Sequence, residues 1–231
     1  MPLALALETS SRIGAIAIVE DGRVVAEDQF QHGLQHAAEI VSRIDRLCRD
    51  CDCLPGDLKE IYVSAGPGSF TGLRIGVTLA KTLAFATGAR IVAVPTVRVL
   101  ARNAPPAATD LIIVLDAKRG QIYTARFARS DDNWIEREPA HLDELAAVLR
   151  RSPRPLWLLG EGIPHHRQFL PADDVSVIIT PQETWGPAAA AVAQEGVLMA
   201  ARGEFVDPDR LVPIYIRKPE AQEKWEQAHR P

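Results

Sequence analysis

Residues 61–86 constrain this chain more than any other stretch. Ile61-Tyr62-Val63-Ser64 is a short apolar run of β-branched and aromatic side chains, which reads as a buried strand. Gly66-Pro67-Gly68-Ser69 breaks it, and residues 71–86 then follow helical spacing. A strand entering a helix through a tight glycine turn predicts an α/β fold. Backbone N–H groups point out of such a turn, so it is a candidate cradle for an anion. The usual phosphate signatures are absent. No Lys-Ser or Lys-Thr follows Gly72, and Thr71 stands where a G-x-G-x-x-G pattern begun at Gly66 needs its third glycine. The G-x-S-x-G turn of hydrolases is missing there as well.

The helix behind the turn says more. Gly72, Gly76, Ala80 and Ala84 recur every four residues, a stripe that lets another helix approach closely. Phe70, Leu73, Val77 and Leu83 flank one side of it; Ile75, Leu79 and Ala86 flank the other. Arg74, Thr78 and Lys81 are the clearly polar members. A surface helix normally carries one apolar stripe. Leaving several large apolar side chains in water forgoes roughly 1.5–3 kcal/mol each. The expectation is a docking surface for another protein.

The rest of the chain supplies the setting. Residues 3–7, 13–19 and 23–30 read as three strands, with Glu20-Asp21-Gly22 a hairpin turn. Over 34–51 the period becomes helical, with Leu34, Ala37, Val41, Ile44, Leu47, Cys48 and Cys51 on one face. A strand at 91–94 precedes a breaker-rich stretch at 103–109. Then 111–115 ends in Asp116, the polar turn Lys118-Arg119-Gly120-Gln121 follows, and a return strand covers 122–129. Glu8 and Asp116 thus hold the same place, 116 − 8 = 108 residues apart in a chain of 231. That offset predicts a duplicated domain. A helix at 142–150, strands at 156–159 and 175–180, and a helix at 185–202 stopped by Gly203 complete the second half. We expect a first domain over 1–103, a second over 104–212, and a tail over 213–231 packing on the first.

Charge and cysteine content bound the function. The net charge is −4, so nothing in the bulk draws the chain to nucleic acid or to an anionic membrane. No apolar run approaches a membrane span. Cys48, Cys51 and Cys53 are odd in number and clustered, which is no disulfide framework and points to the reducing cytoplasm. They lack a fourth ligand for zinc. His32 and His36 have i, i+4 spacing but no third ligand. His165 and His166 follow a strand and read as solvated loop residues. No nucleophile–base pair can be assigned, so no catalytic residue is named.

GPGSFTGLRIG followed by Ala80-Lys81 resembles the signature of the bacterial TsaB (YeaZ) family. Leu5-Ala-Leu-Glu-Thr-Ser, His36-Ala-Ala-Glu39, Asp116-Ala-Lys-Arg-Gly-Gln-Ile-Tyr123 and Pro213-Ile-Tyr-Ile-Arg217 resemble its other landmarks, in order. The resemblance implies an actin-like (ASKHA) fold: two ribonuclease-H-like domains with mixed sheets flanked by helices. It implies a dimerisation subunit, not catalytic alone, in the complex that installs the threonylcarbamoyl group on the adenosine beside the anticodon of tRNA. The implied partners are the paralogous catalytic subunit TsaD and the ATPase TsaE, with tRNA reached through the complex. The same helices would pair two copies of the isolated chain. ATP is used by the complex, with no cofactor or metal held firmly by this chain. The interface the family implies uses the first two helices, here His36 and Ile40 on one, and Phe70, Leu73, Arg74, Gly76, Val77, Ala80, Lys81 and Ala84 on the other. Glu8 stands where the family more often has Asp. Glu8, Thr9 and Ser10, with Gly66, Gly68 and Arg119, then correspond to a degraded phosphate site. The rival expectation is a stand-alone ATP-dependent transferase or kinase, or a metallopeptidase-like enzyme. Against it, 92–100 lacks the H-x-x-x-H metal pair that the catalytic paralogue carries.

Overall fold

The computed structural model describes residues 2–31, 39–131 and 133–217. Its first sheet is built from β1 (Ala4–Glu8), β2 (Ile13–Glu20), β3 (Arg23–Gln31), β4 (Glu60–Gly66) and β5 (Arg90–Pro95), in the order β3-β2-β1-β4-β5. Its second sheet contains β6 (Asp110–Asp116), β7 (Ile122–Ser130), β8 (Asn133–Asp143), β9 (Leu156–Leu159) and β10 (Val177–Ile179), in the order β10-β9-β6-β7-β8. Read from the other edge, the two orders are the same. In each, the first three strands form an antiparallel meander and the last two add in parallel. The duplication expected from Glu8 and Asp116 is therefore a property of both whole sheets, and the fold is the actin-like pair of ribonuclease-H-like units.

Alternation along β1 explains how the first sheet is covered. Leu5 and Leu7 point to one face, where they pack with α1 (Glu39–Asp50) and α2 (Phe70–Thr87). Ala4 and Ala6 point to the other, where they meet α5 (Ala189–Ala201). Successive strand residues face opposite sides, so a large/small alternation sets a thick layer on one side and a close one on the other. The close approach is severe at Gly196, where an added Cβ would lie 2.3 Å from the Tyr62 ring.

On the second sheet, α3 (Thr96–Arg102) covers one face through Val97, Leu100 and Ala101. The other face is covered by α4 (Leu145–Arg151) through Leu145, Val148 and Leu149. A cut near Asn103 separates the strands of the two sheets. Yet α5, which the expected second domain (104–212) contains, lies on the first sheet. After it, Val206 pairs with Ile91, and Leu211 joins the first core. Ile214 then donates its amide to Ala65, 2.7 Å away. Ile214 and Tyr215 thus lie against the first half, while Arg217 reaches the β6–β7 turn of the second; 218–231 fall outside the described residues.

Two elements were not expected. Thr96–Arg102 is helical although its sequence continues the apolar run of β5, and Asn133–Asp143 is a long strand although charged and broken by Pro139. The latter is an edge strand, which tolerates both. The expected helix at 142–150 begins later because residues 142–143 belong to β8, and that at 185–202 begins at Ala189. Among the described residues, no helix is long and apolar enough to cross a membrane.

Candidate functional site

Two places on the molecule collect the residues singled out by sequence: the outer side of α2, and the cleft where the strands of both sheets end.

Ser69 caps α2, its Oγ accepting from the Gly72 amide at 3.3 Å, and Gly88 ends it in the left-handed conformation (φ 73°). The small-residue stripe faces inward. Gly72, Gly76, Ala80 and Ala84 are buried within the chain, as are Leu73 and Val77. A Cβ added at Gly76 would stand 2.3 Å from Thr9 Oγ1 and 3.5 Å from Val63. The stripe therefore seats α2 on its own sheet, and its expected role as a docking stripe is corrected. Ile40, 2% exposed, is likewise part of the core. His36 and His32 lie outside the described residues.

What α2 shows to solvent is Thr71, Arg74, Thr78, Thr82 and Phe85, the last 94% exposed. At its start, Phe70 and Arg74 hold the C-terminal segment. Tyr215 stacks on Phe70 with centroids 5.0 Å apart, and the Arg74 guanidinium lies 3.9 Å above the same ring. Arg74 Nε also donates to the Tyr215 hydroxyl at 3.2 Å, and Lys81 Nζ donates to the Leu211 carbonyl at 3.4 Å. Pairing of Arg74 and Phe70 with Tyr215 needed residues 141 and 215 − 70 = 145 apart in sequence, so no local pattern could reveal it.

In the cleft, β1 delivers Glu8, fully buried, with Thr9 and Ser10 behind it. Ser10 donates to Glu8 Oε1 through both its amide and its hydroxyl, the latter at 2.6 Å. Glu8 Oε2 and Thr9 Oγ1 are buried without a partner. Burial holds the Glu8 carboxyl above the usual range against the pull of these bonds, and the charge of Glu161 adds to the rise. Three amides of the glycine turn and helix start are used inside the chain. The Ser69 amide goes to the Ser10 carbonyl (2.7 Å), that of Gly66 to Thr96 Oγ1 (3.2 Å), that of Gly72 to Ser69, and Pro67 has none. Gly66 takes φ 120°, and a Cβ at Gly68 would meet the Ser10 carbonyl at 2.5 Å. Glu8, Thr9, Ser10, Gly66 and Gly68 are thus brought together. Arg119 stands elsewhere, on the exposed tip of the β6–β7 turn with φ 55°.

The second half repeats this arrangement. Gly160-Glu161-Gly162 follows β9 as Gly66-Pro67-Gly68 ends β4, 160 − 66 = 94 residues earlier. Gly160 has φ 137°, and a Cβ at Gly162 would lie 2.6 Å from the Asp116 amide. Asp116 is the counterpart of Glu8, but Lys118 binds it through Nζ (2.6 Å) and its amide (3.1 Å). Although burial pushes the Asp116 carboxyl up, these bonds hold it below the ordinary value. His166 is corrected from a solvated loop residue: it is buried, with Nε2 3.4 Å from Asp116 Oδ1. Arg12 and Lys118 supply positive charge around Glu161 at the cleft mouth. The repeated G-x-G after the fourth strand of each half was the signal that could have found Glu161 and His166.

A third hollow of about 610 Å³ lies between α3, α5 and β8. Its arginines are matched with acids: Arg98 with Glu136 (3.4 Å), Arg102 with Glu195 (2.7 Å), and Arg202 with Glu204.

Residues 31–171 match the family model described as TsaD, tRNA N6-adenosine threonylcarbamoyltransferase. The chain is 33% identical over 226 residues to the tRNA threonylcarbamoyladenosine biosynthesis protein TsaB of Bacillus subtilis, covering 96% of each. It is 27% identical over 222 residues to the protein of that name from Escherichia coli, covering 92% of this chain and 94% of the other. The solved structure of YeaZ from Pseudomonas aeruginosa shares the fold, with a TM-score of 0.79 at 22% identity over 93% of this chain and all of that one. Near-complete coverage at this identity, with the glycine turn and duplicated sheets in place, shows that the chain belongs to the TsaB (YeaZ) family of tRNA threonylcarbamoyladenosine biosynthesis proteins.

Proposed function

We propose that this chain is a non-catalytic scaffold subunit in tRNA threonylcarbamoyladenosine synthesis, acting by binding a paralogous catalytic subunit of the TsaD type through the outward faces of α1 and α2. The observation that carries the reading is Phe85. Its ring is 94% exposed on a helix whose opposite face is fully buried. Val41 on α1 is 54% exposed. Between Phe85 and the helix start, α2 presents Thr78, Thr82 and Arg74, side chains that an interface can cover at little cost. An exposed aromatic ring is a suitable anchor for a partner surface. The TsaD model match supports paralogy between the two subunits. The Ser69 amide, used on the Ser10 carbonyl, and the buried Glu8 carboxyl beside it favour this reading over phosphate chemistry in this chain. In this reading a TsaE-type ATPase joins the pair, the complex consumes ATP, and tRNA is engaged in the cytoplasm through the assembled complex. Two copies of the isolated chain use the same faces when the partner is absent.

The test uses positions that the fold does not need. Phe85→Asp and Thr78→Arg, both on exposed sites, are expected to weaken binding to the catalytic paralogue about 30-fold each, the loss typical of an interface anchor. Calorimetry measures the affinity, and circular dichroism checks that the fold is kept. Unchanged affinity in both variants sinks the assignment, as does nucleotide turnover by the purified chain alone.

A further inference from the structure

The end of α1 brings two of the three thiols together. Asp52 adopts the left-handed conformation (φ 53°) just past the helix. The Cys53 amide donates to the Cys48 carbonyl at 2.9 Å, and the Asp52 amide donates to that of Arg49 at 3.1 Å. These two bonds define a Schellman cap, in which the side chains three residues before and two residues after the cap normally meet in an apolar contact. Here both are cysteines. Cys53 packs against the apolar cluster that contains Cys48. Cys48 is buried and Cys53 is partly open to solvent. The contact is set by the backbone of the cap, so it does not depend on a side-chain rearrangement.

We infer that Cys48 and Cys53 form an oxidisable dithiol, closed to a disulfide by a low-molecular-weight disulfide such as oxidised glutathione. Cys53 attacks first, because it is the more open of the two sulfurs. Its thiolate forms a mixed disulfide and releases one glutathione thiol. Cys48 then gives up its proton and attacks the Cys53 sulfur, releasing the second glutathione. The two cysteines are oxidised, the reagent disulfide is reduced to two thiols, and the two protons leave on those thiols. Burial pushes the Cys48 thiol up to about 12, which slows the second step; its fixed contact with Cys53 supplies the compensating proximity. Cys51, one helical turn from Cys48, makes no such pair and serves as the internal control. The disulfide would clasp the end of α1, a helix otherwise held to β3 by Arg43 and Arg46 through Asp28.

The experiment incubates the native chain with oxidised glutathione, blocks remaining thiols by alkylation after unfolding, and maps peptides by mass spectrometry. The expected product has lost two alkylatable thiols, carries a Cys48–Cys53 link and returns to three thiols on reduction. Cys51→Ser is expected to leave this product intact. Cys48→Ser is expected to stop at a stable Cys53–glutathione adduct. A Cys51–Cys53 link overturns the inference, as does a product in which Cys48 is alkylated in full while only Cys51 carries glutathione.

Discussion

Glu8 ends β1 as a carboxylate with one oxygen satisfied by Ser10 and the other buried without a partner. Its folded-state proton affinity is raised, chiefly by burial. A carboxyl raised in this way costs the folded state nothing below the unfolded value, where both states are protonated; it destabilises the fold progressively as pH rises through and beyond that value. Glu8→Gln keeps the acceptor for Ser10 and removes the charge. It is therefore expected to raise the thermal midpoint at neutral and alkaline pH, and the gain should vanish as pH falls below the ordinary glutamate range. A midpoint unchanged or lowered at pH 8 would show that the carboxylate is needed in its charged form. The acid at the end of this strand was legible in the sequence. Its complete burial was not, because how far a strand end is covered is set by which side chains the second domain brings across the cleft.

At the scale of the element, α2 shows how one pattern supports two packings. A Gly/Ala stripe allows close approach by any partner, whether a second helix or a sheet. Its spacing was read correctly from Gly72 to Ala84; the partner was not. The stripe rests on β1 and β4, with Gly76 over Thr9. Gly76→Ala is expected to lower stability by about 1–3 kcal/mol through overpacking, less the propensity gain of alanine over glycine, about 1 kcal/mol. Adding Thr9→Ser, which keeps the hydroxyl and frees rotation, should recover little. Thr9→Ala, which removes the colliding oxygen, should recover most of the loss in a double-mutant cycle by chemical denaturation. Additive effects of Gly76→Ala and Thr9→Ala would refute the contact.

At the scale of the whole molecule, the last described residues tie the two halves together. After Tyr215 stacks on α2, Arg217 donates to the Ala117 carbonyl and the Gln121 side chain in the β6–β7 turn. Arg217→Ala is expected to speed amide exchange across residues 117–122 by about tenfold, the effect of losing roughly 1.4 kcal/mol of local stability. Exchange in β1, β4 and β5 should stay as it was. Uniform acceleration over both sheets would indicate a global loss of stability, and an unchanged turn would show that Arg217 does not restrain it.

Strand and helix periods, the glycine turn before α2 and the hairpin at Asp21-Gly22 were determined by the sequence alone, because each rests on interactions between residues near in the chain; the duplication was legible because the same local strand–turn–strand pattern recurs at Glu8 and Asp116. The tertiary structure alone decided that the Gly76 stripe faces inward, that α5 returns to the first sheet, and that His166 is buried beside Asp116. It also placed Tyr215 on Phe70 and Arg74. Those outcomes depend on which surfaces meet after the chain has folded back over many tens of residues, and local spacing says how closely a face can be approached, not what approaches it.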